Sequence, residues 1–181
     1  ARIIRIIGDP ATRYTEDPVR MLRAARFAAK LGMPLEAATE AAIADCRDNL
    51  RAVPAARLFD EAQKLFMSGY GEACFEVLQR YGLFAMLFPD AGHVFEHPNA
   101  AYAQYAQRLV RIALANTDAR VAEDKPVTIA FLLAAILWPV YQLQYRGLLK
   151  ERDNWHSAMH EAVDVVHIAA SERLAIPVRL R

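Results

Sequence analysis

Between Arg13 and Gly32 the chain reads RYTEDPVRMLRAARFAAKLG, which gathers two carboxylates, four arginines and a lysine. Asp17 and Arg20 are three apart, so a helix would set an acceptor-only carboxylate beside a guanidinium fork of donors. Adenine and cytosine each present an amino donor next to a ring-nitrogen acceptor on the Watson–Crick edge, whereas uracil and guanine present the reverse. A fixed Asp–Arg pair could therefore select A and C over U and G with no nucleic-acid template. Arg23 and Arg26 follow at further three-residue steps, placed for the phosphates of the same nucleotide. On a wheel of about 100° per residue, Arg20, Arg23, Arg26 and Lys30 fall within an arc of about 120°. Leu22, Ala25 and Ala29 gather opposite. A solvated helix face has the same pattern, and Glu16 and Asp17 would suit a helix N-terminus on dipole grounds alone. Residue types leave both readings open.

Other clusters carry less. Arg57 and Glu61 stand four apart in PAARLFDEAQKLFMSG. As a surface pair they would contribute a few tenths of a kcal/mol, about 0.3 to 0.5. Arg-before-Glu is the weaker order on a helix, so a tertiary partner for Arg57 is expected. His156, His160, Asp164 and His167 share one helix face. Four ligands along one helix span too great a length for a single ion, and no His-Glu-x-x-His order is present, so no metal site is assigned. The neighbouring Trp155, Met159, Val163 and Val166 read as core. Cys46 and Cys74 form neither a zinc pattern nor a disulfide framework, which fits a reducing cytoplasm. Tyr14, Tyr81, Tyr102, Tyr105, Tyr141 and Tyr145 could stack on RNA bases, though most read as core edge or surface.

Helices must position these groups. The chain has 181 residues, 55% of them apolar and 24% charged, with only seven glycines, a composition of a helical globular protein. Net charge is +1, yet residues 1–31 hold seven cationic side chains against three acids, a surplus of four that suits a local anion site. A short strand is expected in ARIIRII and a turn or linker at Gly8–Pro10. Helices are expected at Pro18–Leu31 with Thr15 or Asp17 as N-cap, Leu35–Cys46, from Pro54 through Met67, and Gly71–Arg80. LFAMLFPD should be a short helix closed by Pro89, and AGHVFEHPNA a loop. Further helices are expected near Ala100–Asn116, Val127–Leu137 and Asn154–Leu174. The apolar run Val127–Tyr141 is too short to span a bilayer and is broken by Pro139. The architecture expected is all-α, stacked helices, in segments 1–10, 11–92 and 93–181.

The stretch IIRIIGDPATRYTEDPVRMLRAARFAAKLG closely resembles the head–neck junction of the class II nucleotidyltransferases, the bacterial poly(A) polymerases and CCA-adding enzymes. PAARLFDEAQKLFMSG, FEVLQRYGLFAMLFPD, FLLAAILWP and LAIPVRL extend the resemblance toward the poly(A) polymerase branch. It implies that Asp17 and Arg20 read the base, Arg23 and Arg26 meet the triphosphate, and Glu16, Arg57 and Glu61 support them. It also implies a neck at 11–92, a body at 93–181, and a strand in residues 1–10 left from a head domain. The family's chemistry needs two divalent metals held by head carboxylates in a Gly-Ser and Asp-x-Asp pattern. Neither pattern occurs in the sequence. The chain is accordingly expected to be a C-terminal piece without catalytic residues, with Mg2+ bound elsewhere and inactive alone. The implied partners are ATP and an RNA 3′ end, in the cytoplasm and away from membranes. The implied function is template-free addition of AMP to RNA; CCA addition and a non-catalytic helical RNA-binding module are the alternatives.

Overall fold

In the computed structural model, which describes residues 2–151 and 154–177, the expected turn at Gly8–Pro10 is the start of a helix. Asp9 is extended and its carboxylate accepts from the Thr12 amide at 2.8 Å, while Pro10 occupies the first turn, where a missing N–H leaves no bond unmade. Hydrogen bonding from Thr12, through its side chain foremost and its amide next, holds the Asp9 carboxyl below its ordinary value. The resulting α1, Pro10–Glu16, is separated from α2, Val19–Leu31, by Asp17 and Pro18 alone. Neither expected residue caps α2. Asp17 instead closes α1, its amide donating to the Arg13 carbonyl at 3.2 Å, and Thr15 turns its hydroxyl back to the Ala11 carbonyl. α2 ends at Gly32 in the left-handed region, φ 60°, where the Gly32 and Met33 amides return to the last turn.

The chain continues through α3 (Ala37–Cys46), a 3₁₀ segment (Arg47–Ala52), α4 (Ala55–Phe66), α5 (Gly71–Arg80), α6 (Leu83–Leu87) and α7 (Pro89–Phe95). It ends with α8 (Ala100–Ala122), α9 (Ile129–Leu148) and α10 (Trp155–Leu174). The fold is all-α. Among the described residues the expected N-terminal strand is one parallel bridge, Ile4 with Leu35, and no sheet continues it. Leu35 therefore precedes α3 instead of starting it.

α1 packs on α3 and α2 on α5; α5 then leans on α8, α8 on α9, and α10 returns from α9 to α4. The buried face of α2 is Val19, Met21, Leu22, Ala25 and Ala28. Tyr14 is fully buried and donates to the Thr39 carbonyl at 3.3 Å; burial pushes its phenol up to about 12. It has no face for an RNA base. Phe75, Phe84 and Phe95 pack with ring centroids 5.0 to 5.9 Å apart, tying α5, α6 and α7 together. Asp118 of α8 accepts from the Gly71 and Glu72 amides at 2.7 and 2.9 Å, a long-range cap on α5.

Expectations for three helices change here. Ala91–Phe95 is helical, because Pro89 both closes α6 and opens α7. Gly92 marks a close approach, not a loop: a Cβ there would lie 2.7 Å from that of Ala85. Residues 92 and 93 both lie within α7. α9 runs past Pro139 to Leu148, since burial of Leu132, Leu133, Ile136 and Val140 outweighs one lost hydrogen bond. On α10 the buried stripe is Ala158, Ala162, Val166, Ala170 and Leu174, while Trp155 and Val163 are 61% and 49% exposed. Small residues let α10 pack closely, which a reading weighted toward bulky side chains misses. The LAIPVRL match runs on to Val178–Leu180, outside the described residues. Among the described residues no helix is long and apolar enough to cross a membrane.

Candidate nucleotide site

The extended Asp17 between α1 and α2 decides the site's geometry. It breaks the helix after Glu16, so Arg13, Glu16 and Arg20 face one another across a corner. Arg13 Nη1 donates to Glu16 Oε2 at 2.7 Å, and Arg20 Nη1 to the same oxygen at 3.1 Å. Arg20 Nη1 also reaches the Arg13 carbonyl at 3.1 Å, the acceptor that takes the Asp17 amide. Arg20 and Asp17 are thereby fixed against one backbone oxygen, yet they do not pair with each other. Asp17 Oδ1 accepts instead from Arg57 Nη2 of α4 at 3.0 Å. Among the described residues Asp17 Oδ2 and the Nε and Nη2 of Arg20 have no protein partner. A free acceptor and free donors remain on two residues anchored to the same backbone oxygen.

Glu61 anchors the second layer. Its side chain is 3% exposed and draws three cations: Lys64 Nζ at 3.0 Å, Arg23 Nε at 3.4 Å and Arg26 Nε at 3.9 Å. Arg26 Nε and Glu61 Oε2 are both buried without a hydrogen bond, so that contact is electrostatic only. The Arg26 guanidinium lies 4.8 Å from the Phe27 ring centroid, and its side chain is the least exposed of the three cations. Arg23 stays half-exposed with its terminal nitrogens available.

Arg57 and Glu61 do not pair with each other. On α4 the two side chains part, Arg57 to Asp17 and Glu61 to α2, and together they clamp α4 onto the α1–α2 corner. Arg57 has the tertiary partner that its unfavourable helix order called for. Three participants were missed. Arg13 and Lys64 sit three residues from Glu16 and Glu61, a signal visible once the partners are known. Arg5 carried no local signal; it borders a recess of about 190 Å³ with Arg20, Arg23, Phe27 and the Ile4–Ile6 segment.

Glu16, Asp17 and Glu61 are each engaged by arginine or lysine, so the donor set at this face does not fit a divalent metal. On α10 the His156 and His160 rings lie 4.5 Å apart, and His167 Nε2 is 3.4 Å from the Ser171 hydroxyl. Among the described residues no three metal-ligating side chains are grouped for an ion.

A family described as "Probable RNA and SrmB- binding site of polymerase A" matches residues 32–93. The chain is 42% identical over 167 residues to Poly(A) polymerase I of Haemophilus influenzae, covering 90% of the chain and 36% of that protein. It is 41% identical over 179 residues to Poly(A) polymerase I of Escherichia coli O6:H1, covering 98% and 38%. A CCA-adding enzyme of Streptococcus sanguinis matches at 32% over 174 residues, covering 95% and 39%. The chain spans less than two fifths of the length of these relatives.

Proposed function

We propose, from the premise that this chain belongs to the superfamily of the bacterial poly(A) polymerases and CCA-adding enzymes, that it is the nucleotide- and RNA-binding part of a polynucleotide adenylyltransferase. The whole protein adds AMP from ATP to RNA 3′ ends without a template, and this part selects the base. One observation supports the selection: the Asp17 amide and the Arg20 guanidinium share the Arg13 carbonyl as an anchor, and each side chain keeps unbonded polar atoms. Asp17 Oδ2 accepts from the adenine amino group while Arg20 donates to the adjoining ring nitrogen. Uracil and guanine would oppose donor to donor and acceptor to acceptor, leaving both residues unsatisfied. Glu16 and Arg57 are positioning residues for this pair. Arg23 and Arg26, held by Glu61, meet the phosphates, Arg23 through its freer nitrogens.

The carboxylates at this face hold arginines and do not form a two-metal site, and the two-metal chemistry of phosphoryl transfer is expected outside this chain. The chain alone is expected to be inactive. When bound, Mg2+ supplies charge neutralisation of the triphosphate; the residues described here bind and orient the base and exclude the wrong partner.

The test is nucleotide competition on the full-length protein. Arg20→Ala should lower the preference for ATP over UTP and GTP by about 10- to 100-fold, the value of a charge-assisted hydrogen bond at about 1.5–3 kcal/mol, with RNA affinity nearly unchanged. A variant that still chooses ATP as the parent does would refute the base-reading role. The Asp–Arg pair accepts cytosine too, and a CCA-adding relative matches 95% of the chain, so CTP incorporation is the second measurement. Incorporation of C before A would assign CCA addition. Indifference to all four triphosphates would leave a helical RNA-binding module.

A further inference from the structure

Arg173, in the last turn of α10, reaches across the fold. Its Nε and Nη2 donate to the Met86 carbonyl at 2.7 and 2.5 Å, and Nη2 also donates to the Leu50 carbonyl at 3.2 Å. These acceptors belong to the end of α6 and to the 3₁₀ segment, so the side chain fastens the last helix to the first half of the chain. Two nitrogens of the fork are thereby engaged with neutral oxygens. Among the described residues Nη1 has no partner, and no carboxylate pairs with this guanidinium.

Arg173 borders an open cavity of about 330 Å³ together with Arg51 and His93, and no Asp or Glu lines it. Burial first, and the nearby Arg51 charge second, lower the proton affinity of the Arg173 guanidinium. Like charges brought together beside a partly desolvated group are unfavourable until an anion joins them. Arg51 has one acidic neighbour, Asp48, with Oδ1 3.6 Å from Nε and both side chains 73% exposed. A pair so solvated contributes little and exchanges readily for a better acceptor. His93 is exposed on α7 at the same rim.

We propose that Arg51, His93 and Arg173 form a binding site for a phosphodiester of the RNA strand. The proposal rests on the RNA-binding reading above and gives it a location. A phosphate oxygen takes the Nη1 edge of Arg173, whose other edge is held by carbonyls and so needs no ordering on binding. Arg51 supplies a second fork and His93 a ring N–H. No carboxylate acceptor lies in the lining to read a base amino group, so the contact positions the strand without choosing its sequence. The matched family ends at residue 93, whereas the cavity is completed by α10.

The experiment measures binding of fluorescent oligo(A) RNA to the full-length protein by anisotropy across a salt series, with a parallel titration of ATP. Arg51→Ala combined with His93→Ala removes two exposed groups and none of the carbonyl anchors, so the fold is retained, checked by Tm. RNA affinity should drop roughly five- to tenfold at low salt, and the log–log salt slope should become shallower by about 0.7 per lost phosphate contact. Arg51→Glu should weaken binding further. Dependence on ATP at saturating RNA should stay as in the parent. Unchanged RNA affinity and slope in the double variant would overturn the site. A raised KM for ATP with an unchanged RNA slope would also overturn it, by assigning the cavity to the free triphosphate. A parent protein with no salt-dependent RNA binding would overturn the RNA-binding reading itself, and this site with it.

Discussion

Glu61 and Arg173 are both charged side chains withdrawn from solvent, and what surrounds them differs in kind. Around Glu61, one buried carboxylate gathers Arg23, Arg26 and Lys64, so cations from α2 and α4 are positioned by opposite charge. Around Arg173, position is set by the neutral carbonyls of Met86 and Leu50, and the charge that acts on it, that of Arg51, has the same sign. The first arrangement neutralises much of its charge and leaves oriented donor edges, which suits selection by hydrogen bonding. The second retains its full charge, which suits attraction of an anion irrespective of sequence. Arginine thus serves either task, and the partner decides which.

The largest effect that would break this contrast comes from Glu61→Ala. Removing the carboxylate leaves the buried Nε of partly buried Arg26 unpaired, and the fold should lose about 3 kcal/mol, the lower end for a broken buried pair because Arg23 and Lys64 can re-enter water. A lowered urea midpoint with unchanged slope is the readout. A midpoint like the parent's would mean that the cations never depended on Glu61. Gly92→Ala tests the second region. Its Cβ would meet Ala85 at 2.7 Å and push α7 from α6, costing about 1–3 kcal/mol by overpacking, read as a fall in Tm.

Arg57→Ala is subtler. It frees Asp17 Oδ1 without touching Arg20, and should relax the ATP-over-UTP preference about two- to fivefold, since a half-exposed pair contributes about 0.2–1 kcal/mol. Arg57→Lys should restore part of that preference, whereas a purely structural role would move Tm and leave selection alone. The smallest effect belongs to Asp9→Ala at the start of α1. The Asp9 carboxyl titrates below its ordinary 3.8, so its capping contribution is present above that value and fades as pH falls through the lowered one. The parent's Tm advantage over the variant should therefore be level at neutral pH and shrink in acid. An advantage that grew as pH fell would reverse the assignment.

Much of this was legible from residue order. The apolar stripe of α2, its stop at Gly32, the span of α5 and the all-helical class all follow from periodicity and glycine placement, because those signals act within a turn or two. The errors share a cause. Asp9-Pro10 and Gly92 carry turn signals, although Asp before Pro also starts a helix and glycine also permits close packing. The extension of α9 through Pro139 came from burial that no local rule measures. At the site, the candidate residues Asp17, Arg20, Arg23 and Arg26 could be named by type and spacing, and Arg57 and Glu61 by the resemblance of their motif. Their pairing could not: on helix spacing Asp17 goes with Arg20 and Arg57 with Glu61, and neither pair forms.

The sequence by itself determined the all-helical class and most of its helices, the charge surplus at the start of the chain and the presence of a carboxylate three residues before an arginine. Those properties are local, set by backbone preference and side-chain chemistry. Only the tertiary structure decided that Asp17 turns to Arg57, that Glu61 holds the arginines of α2, and that Arg173 meets Arg51 and His93 beside an open cavity. Partners so far apart in the chain meet only when packing brings their helices together, and Coulomb energy, falling with distance and strengthened by burial, then selects among the neighbours that result.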